Sequence, residues 1–283
     1  MIKYSVTIAS KDVHGECFRE IAETIAWGLT DLGVYADQPF APATVLSNHY
    51  RDDATNIVLG WNCLSPATAP PEGSILYNLE QVSPDSNWFK NQEFLDQTLF
   101  SPKYRVWDYD PQNAVYLKIR GREPEAVLPI GYHPCLRKMP KLEEAHDVVF
   151  FGSLNRRREL VLDTLRGMGV EVVHKFGVYG KARDEWCARA KVVLNLHFYD
   201  ANVFEVARCS YLLANERFVV SETSGVAEQI YGDSIVFAYP SDLPRAVIRA
   251  LQEPDLRWER AVRGRELMES RRIEKYLKEV IPC

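Results

Sequence analysis

The sequence contains no C-x-x-C pair: its six cysteines (Cys17, Cys63, Cys135, Cys187, Cys209 and Cys283) lie far apart in 283 residues. That excludes a short disulfide-stapled fold, and reduced thiols in a cytoplasmic protein are expected. No apolar run approaches the roughly 18 residues that cross a bilayer, so stable membrane insertion is not expected. The opening MIKYSVTIAS lacks the charged region, apolar core and small-residue cleavage site of a signal peptide. A basic excess is missing too. With 34 Lys and Arg against 39 Asp and Glu the net charge is -5, which argues against a general nucleic-acid binder but leaves room for a local basic patch. There is no G-x-x-x-x-G-K-[ST] and no G-x-G-x-x-G after the first strand, which disfavours a P-loop NTPase and a dinucleotide enzyme.

What is present is an alternation. Hydrophobic residues make up 46% and charged residues 26%, enough for a sizeable soluble core. IKYSVTIA (2–9), NIVLGW (56–61), SILYNLE (74–80) and YRVWDY (104–109) have the composition of strands. Helical spacing runs over 15–33, ending in Gly33, and over 91–99 and 111–121, with Pro111 suited to a first helical position. AVLPIGYHP (126–134) reads as extended, and a charged loop follows over 135–147. A second series then begins, with strands at 147–152, 170–176, 192–197, 218–222 and 234–239. Helices are expected at 156–169, 182–190, 203–215 and 226–232, and from 241 to about 280. Strands alternating with helices imply parallel sheets covered on both faces. The expectation is therefore an α/β protein with two Rossmann-like, doubly wound parallel-sheet domains and a cleft between them. The first is expected to span 1–134 and the second 135–283, with the last helix free to pack back on the first.

In open parallel sheets ligands bind beyond the carboxyl ends of the strands, so the residues just after each strand carry the functional expectation. After DVVFFG come Ser153 and the run Arg156-Arg157-Arg158. Gly152 permits a tight turn, a helix start favours an anion, and Arg156 and Arg157 suit phosphate oxygens. A solvated arginine face is the alternative. Gly177 and Gly180 in GVYGK permit a close turn past a base or phosphate, or form an ordinary glycine turn. VVLNLHFYDANVFEVAR (192–208) opens a buried strand into Asn195, His197, Tyr199 and Asp200, with Glu205 and Arg208 soon after. A purely structural reading also exists. Asn202 with Glu205 fits a capping box, Glu205 with Arg208 an i,i+3 pair, and His197 a satisfied, partly buried histidine. After FVVSE come Thr223, Ser224 and Gly225, small and polar ahead of a helix.

In the first half, Asp12, His14 and Glu16 follow the first strand, and Glu80 ends another. His14 is a candidate catalytic base, since a histidine titrates near neutrality, or else part of a solvated loop, and Glu80 is a second candidate base or an acceptor-binding residue. Asp108 and Asp110 have D-x-D spacing, which elsewhere binds metal. Asp110 before Pro111 is a natural helix cap, so no metal is expected.

The ordered set LPIGYHP (128–134), FFGSLNRRR (150–158), LNLHFYDANVFEVAR (194–208) and VVSETSGVAEQI (219–230) resembles the donor-binding domain of GT-B glycosyltransferases of the glycosyl-transferases group 1 type. The C-terminal stretch 241–268 is similar to the closing helices of that family. The resemblance implies transfer of a sugar from a nucleotide-diphosphate sugar, such as a UDP-sugar, without a cofactor or metal. The acceptor would be a glycan, a lipid-linked precursor, a protein or a nucleic acid. It implies that Glu205 holds the ribose hydroxyls, that Arg156 or Arg157 neutralises the diphosphate, and that Thr223 and Gly225 form the turn approaching the sugar or phosphate. The family often carries another glutamate eight positions before the ribose glutamate, where this chain has His197. Two other activities remain open on the same pattern: a nucleotide-sugar epimerase and a non-catalytic nucleotide- or sugar-binding module.

Overall fold

The computed structural model describes residues 2–36, 45–82, 87–198 and 204–282. They gather in two compact units, Met1–Cys135 with Arg272–Cys283, and Leu136–Arg271.

The first unit is built on five parallel strands in the order β1 (Tyr4–Ile8), β2 (Thr55–Leu59), β3 (Ile75–Asn78), β4 (Arg105–Asp108) and β5 (Ala126–Val127). Strand β1 is buried throughout because both its edges are covered. Thr55 to Leu59 pair with it on one side, and Tyr35 and Ser47 bridge to Tyr4 and Ile8 as parallel neighbours. The chain therefore leaves β1 in one direction through α1 (Arg19–Asp31) and returns to β2 on the other side. That reversal puts the segment after β1 at a topological switch point. The sequence pattern suggested helix from residue 15. Instead a 3-10 turn over Val13–Phe18, capped by the Asp12 side chain, precedes α1. Helices α2 (Gln92–Gln97) and α3 (Pro111–Ile119) complete the series. Ala9, Val58, Trp61, Leu76, Val106 and Leu117 pack together in one of its cores.

The second unit holds β6 (His146–Phe151), α4 (Arg156–Gly167), β7 (Val172–Lys175), α5 (Gly180–Ala188), β8 (Ala190–Asn195) and α6 (Val206–Ala214). β9 (Val219–Glu222), α7 (Val226–Tyr231), β10 (Ile235–Ala238), α8 (Leu243–Gln252) and α9 (Pro254–Ser270) follow. The parallel order is β10-β9-β8-β6-β7. The chain steps from β6 outward to β7 and then back past β6 to β8, so the switch point lies between β6 and β8. Phe150, Leu162, Leu165, Val192, Val220 and Val247 share its core. The final helix, α10 (Ile273–Val280), packs on α1 in the first unit. Among the described residues no helix is long and apolar enough to cross a membrane.

Candidate functional site

A group of buried charged side chains lies at the β6/β8 switch point of the second unit. Beyond β6, Gly152 takes φ 139°, and a Cβ there would sit 3.0 Å from Arg208 Nη2. Both features call for glycine. Asn155 then caps α4, accepting from the Arg158 N–H at 3.0 Å, while its own amide donates to the Phe198 carbonyl at 2.8 Å. That cap fixes the arginine run. Arg156 points to solvent, Arg157 is half-buried and Arg158 is buried. Arg158 lies on the same inward face as Val161, Leu162 and Leu165, at the spacing expected of a helix's core stripe. Its guanidinium lies near the rings of Phe150 and Phe198 and donates to the Ser153, Leu196 and His197 carbonyls. Burial, then the charge of Arg208, bring its pKa down to about 10, which leaves it charged at neutral pH.

Beyond β8, Asn195 and His197 are fully buried. Asn195 donates to Glu205 Oε2 and to Ser221 Oγ, each at 3.0 Å, and accepts from Arg208 Nη1 at 3.1 Å. His197 Nδ1 lies 2.9 Å from Glu205 Oε2 and Nε2 lies 3.1 Å from the Thr223 carbonyl. The backbone N–H of His197 donates to Glu222 Oε2 at 2.6 Å, which also accepts from Arg157 Nη1. Burial raises the Glu205 pKa, but the hydrogen bond and charge of His197, the charge of Arg208 and the Asn195 amide outweigh it. The carboxyl stays below its ordinary range. Burial lowers the pKa of His197, and Glu205, the Thr223 carbonyl and Glu222 reverse this to a net rise.

The two carboxylates are each half satisfied. Oε1 of Glu205 and Oε1 of Glu222 are buried and have no hydrogen-bond partner among the described residues. Arg158 Nη2 approaches Glu205 Oε1 only to 3.7 Å. An unsatisfied buried acceptor costs about 1–3 kcal/mol, so both oxygens favour a hydroxyl or N–H donor brought by a ligand.

The structure thus brings Gly152, Arg157, Asn195, His197, Glu205, Arg208 and Thr223 together, and adds Arg158 and Glu222, which sequence reasoning passed over. Glu222 is the last residue of the buried strand FVVSE, at the strand end where functional residues were sought. Arg158 was hidden in a run read for the phosphate-binding charge of Arg156 and Arg157, although its spacing to Val161, Leu162 and Leu165 marks the inward face. Ser153 is exposed and contributes its carbonyl. Gly180 opens α5 after the edge strand β7, with φ 50°, and Gly177 has φ 68°. Gly225, exposed with φ 38°, occupies the cap position of α7. Thr223 faces the histidine through its carbonyl, while its N–H pairs with Ala238 O and its hydroxyl donates to Glu228 Oε1. Two structural readings change. Helix α6 starts at Val206 with Glu205 in the cap position and no side-chain cap bond, so Glu205 is not the fourth member of a capping box. Arg208 bonds Asn195. Tyr199, Asp200 and Asn202 lie outside the described residues.

In the first unit a second polar group lies at the ends of β3 and β4. Asn78 donates to Asp108 Oδ2 at 2.7 Å, and Asn113 to Asp108 Oδ1 at 3.2 Å. Asn62 donates to Glu80 Oε1 at 3.1 Å. Burial pushes the Glu80 and Asp108 carboxyls each up to about 7, against the hydrogen bonds of these amides. Asp110 caps α3, accepting from the N–H groups of Gln112 and Asn113. His14 is exposed on the turn after β1, and its N–H is held by Asp12 Oδ1 at 2.7 Å. Glu16 pairs with Arg19, which draws its pKa down. Ligand atoms of Asp31, His133 and Glu274 lie within 4.8 Å of one another. Arg272 bonds both carboxylate oxygens of Glu274 and lies 3.8 Å from Asp31, so the cluster already has its cation.

No protein-family model matches the chain. Its sequence is similar to uncharacterized proteins of Acanthamoeba polyphaga mimivirus. One is 28% identical over 184 residues, covering 62% of this chain and 57% of the relative. Another is 36% identical over 129 residues, covering 43% and 14%. A third is 27% identical over 161 residues, covering 54% and 21%. The matched stretches span little more than half of the relatives' own length at most. Among solved structures, Anabaena HepE in complex with UDP and glucose aligns over 99% of both chains with a TM-score of 0.62 at 10% identity. The DNA modifying enzyme beta-glucosyltransferase aligns over 98% of both at 0.60 and 12%. Sucrose-phosphate synthase from Thermosynechococcus elongatus aligns over 98% of both at 0.59 and 12%. At such identities the likeness is one of fold, and that fold is GT-B: two Rossmann-like parallel α/β units, as in these glycosyltransferases.

Proposed function

We propose that the chain is a glycosyltransferase whose second unit binds a nucleoside-diphosphate sugar at the β6/β8 switch point. The observation that carries this is Glu205: a buried, ionised carboxylate with Oε2 held by two donors and Oε1 held by none among the described residues. A ribose offers hydroxyl donors to such an acceptor. Around it stand Arg157, Arg158, Arg208 and His197, an excess of positive charge that suits a diphosphate. Arg156, exposed in the first turn of α4 and without an ion-pair partner among the described residues, is the guanidinium available to the leaving group. Arg157 is engaged by Glu222. UDP, which is bound in the Anabaena neighbour, is the natural first probe.

In the transfer, the anomeric carbon–oxygen bond to the diphosphate breaks and the electron pair leaves with the phosphate. The acceptor oxygen bonds the anomeric carbon and gives up its proton. Glu80 suits that proton better than His14, because a carboxyl brought to about 7 is balanced between holding and releasing it. The leaving-group charge is met by Arg156 and the N-terminus of α4, a stabilisation that grows as charge develops. The net charge of -5 favours a glycan, lipid-linked or protein acceptor over a nucleic acid.

The test is a calorimetric titration of UDP into the native protein and into Glu205→Ala. Loss of one charge-assisted hydrogen bond predicts about 10- to 100-fold weaker binding. Equal affinity in the two proteins would remove Glu205 from the donor site. Turnover of a UDP-sugar panel with and without EDTA checks the metal-independent chemistry, with unchanged rates expected.

A further inference from the structure

We propose that His197 is a cationic positioning residue: doubly protonated, it clamps Glu205 by one carboxylate oxygen and so presents the other to a ligand hydroxyl. The inference rests on the donor-site reading of Glu205 for its functional half, but not for the charge of the ring. Nε2 faces the Thr223 carbonyl, which carries no hydrogen, so Nε2 must donate. Nδ1 faces Glu205 Oε2, which already accepts from the Asn195 amide and belongs to a carboxyl drawn below its ordinary range. Nδ1 must donate as well. A neutral imidazole has one N–H and could make both bonds only by accepting at Nδ1 from a protonated Glu205, a proton disfavoured by the Asn195 amide on the same oxygen and by the Arg158 guanidinium 3.7 Å from the other.

The groups around the ring agree with a cation. Glu205 precedes α6 and Glu222 ends β9, and both bond His197 directly, one through the ring and one through the backbone N–H. Facing them are Arg157 and Arg158 from α4, which donate to the His197 carbonyl, and Arg208 from α6, linked through Asn195. The two carboxylates dominate at the ring itself, and the net effect raises the pKa of His197. A carboxylate at position 197, as the resembled family often has, would place three buried carboxylates together. A histidine instead completes one ionised Glu205 and anchors the carbonyl of Thr223 on the next strand's end. The ring is 1% exposed with both nitrogens engaged, so it acts on the ligand through Glu205.

The experiment is nitrogen NMR of ring-labelled histidine in the full chain without ligand. His197 is assigned among the six histidines by its disappearance in His197→Gln. The expected result is an imidazolium pattern that persists above pH 6.5 and moves to lower pH in Glu205→Gln. A single-tautomer neutral ring at pH 7, or a titration unmoved by Glu205→Gln, would overturn the proposal whether or not a nucleotide binds. UDP titrations across pH 6 to 9 read the functional half. Native affinity should fall as the ring loses its proton, and in His197→Gln it should be about tenfold weaker and flat with pH. Native binding unchanged across that titration would mean the clamp does not serve the ligand. No UDP binding at any pH would instead count against the donor-site reading, leaving the ring's charge to the NMR.

Discussion

The neighbouring guanidiniums of α4 have different tasks, and substitution separates them. Arg156 is exposed and without an ion pair among the described residues, so Arg156→Ala should leave urea stability within about 0.5 kcal/mol. It should weaken UDP binding about tenfold, as loss of a phosphate contact does. Arg157→Ala leaves Glu222, a buried carboxylate, with the His197 N–H as its only donor among the described residues, and should cost about 1–3 kcal/mol of stability. Parallel urea titrations and calorimetry would check both, and the reverse ranking would sink the assignment. Glu80 gives a pH test. Its folded-state pKa is raised to about 7, so the folded state favours the protonated acid. The stability it contributes is complete below the ordinary carboxyl range near 4.5 and is lost as pH rises through about 7. Glu80→Gln should therefore flatten the decline of stability between pH 5 and 8, leaving the part that Asp108 contributes in the same window. Its effect on turnover should be far larger than on UDP affinity. Glu80 and His197 stand out in the sequence because each lies at a strand end, and Glu205 through the resemblance of residues 194–208 to a donor-binding segment. The partition of Glu205 into one satisfied and one bare oxygen was not legible there, since it depends on Asn195 and His197 converging from another element.

At the scale of elements, the site exists because β6 and β8 are neighbours although β7 lies between them in the chain. Alternation of apolar strands with periodic helices showed the type of these elements. It did not show the order, because strand pairing is a non-local choice that periodicity does not encode. Boundaries were legible where a residue type sets them: Asp110 before Pro111 at α3, and Gly33 past α1 with φ 73°. They were misread where apolar spacing continued across a break. One periodic stretch after residue 241 is three helices, interrupted at Glu253, just before Pro254, and at Arg271–Arg272. The turn from β6 into α4 carries the sharpest prediction. Gly152→Ala forces φ 139° on an alanine and drives a methyl toward Arg208 Nη2. The expected cost is about 1–3 kcal/mol in urea unfolding, with weaker UDP binding as Arg208 is displaced. Gly180→Ala also meets a positive φ, but has nothing within 4 Å of the new methyl. It should cost less stability, and a comparison of the two variants separates backbone strain from disturbance of the site.

At the scale of the molecule, the chain builds one unit, builds the second, and returns to the first for its last helix. The return is closely fitted. A methyl at Gly28 of α1 would lie 2.7 Å from Ile273 Cγ2 and 2.8 Å from Leu277 Cδ1, so α10 packs directly on bare helix backbone. Ile273, Leu277 and Ile281 are buried, and burying three such side chains is worth at most roughly 4–9 kcal/mol. The Ile273 N–H bonds the Tyr132 carbonyl at 2.9 Å. Beside it, Arg272, Glu274, Asp31 and His133 form the polar half of the clasp. His133 stacks on Trp27 and accepts the Cys135 N–H at Nδ1. Burial lowers its pKa against the pull of Asp31 and Glu274. The clasp thus holds a neutral histidine, and its stabilisation is present above about pH 6.5 and is lost as pH falls below that value. A chain ending at Arg271 should lose this helix from the first unit while the strands of the second keep their own core. Hydrogen exchange should then show faster exchange across α1 and β1, with protection across β6, β8 and β9 unchanged. Equal acceleration in both sets of strands would mean that α10 supports the whole chain as one cooperative body, and the division into two units would fail as a description of its stability.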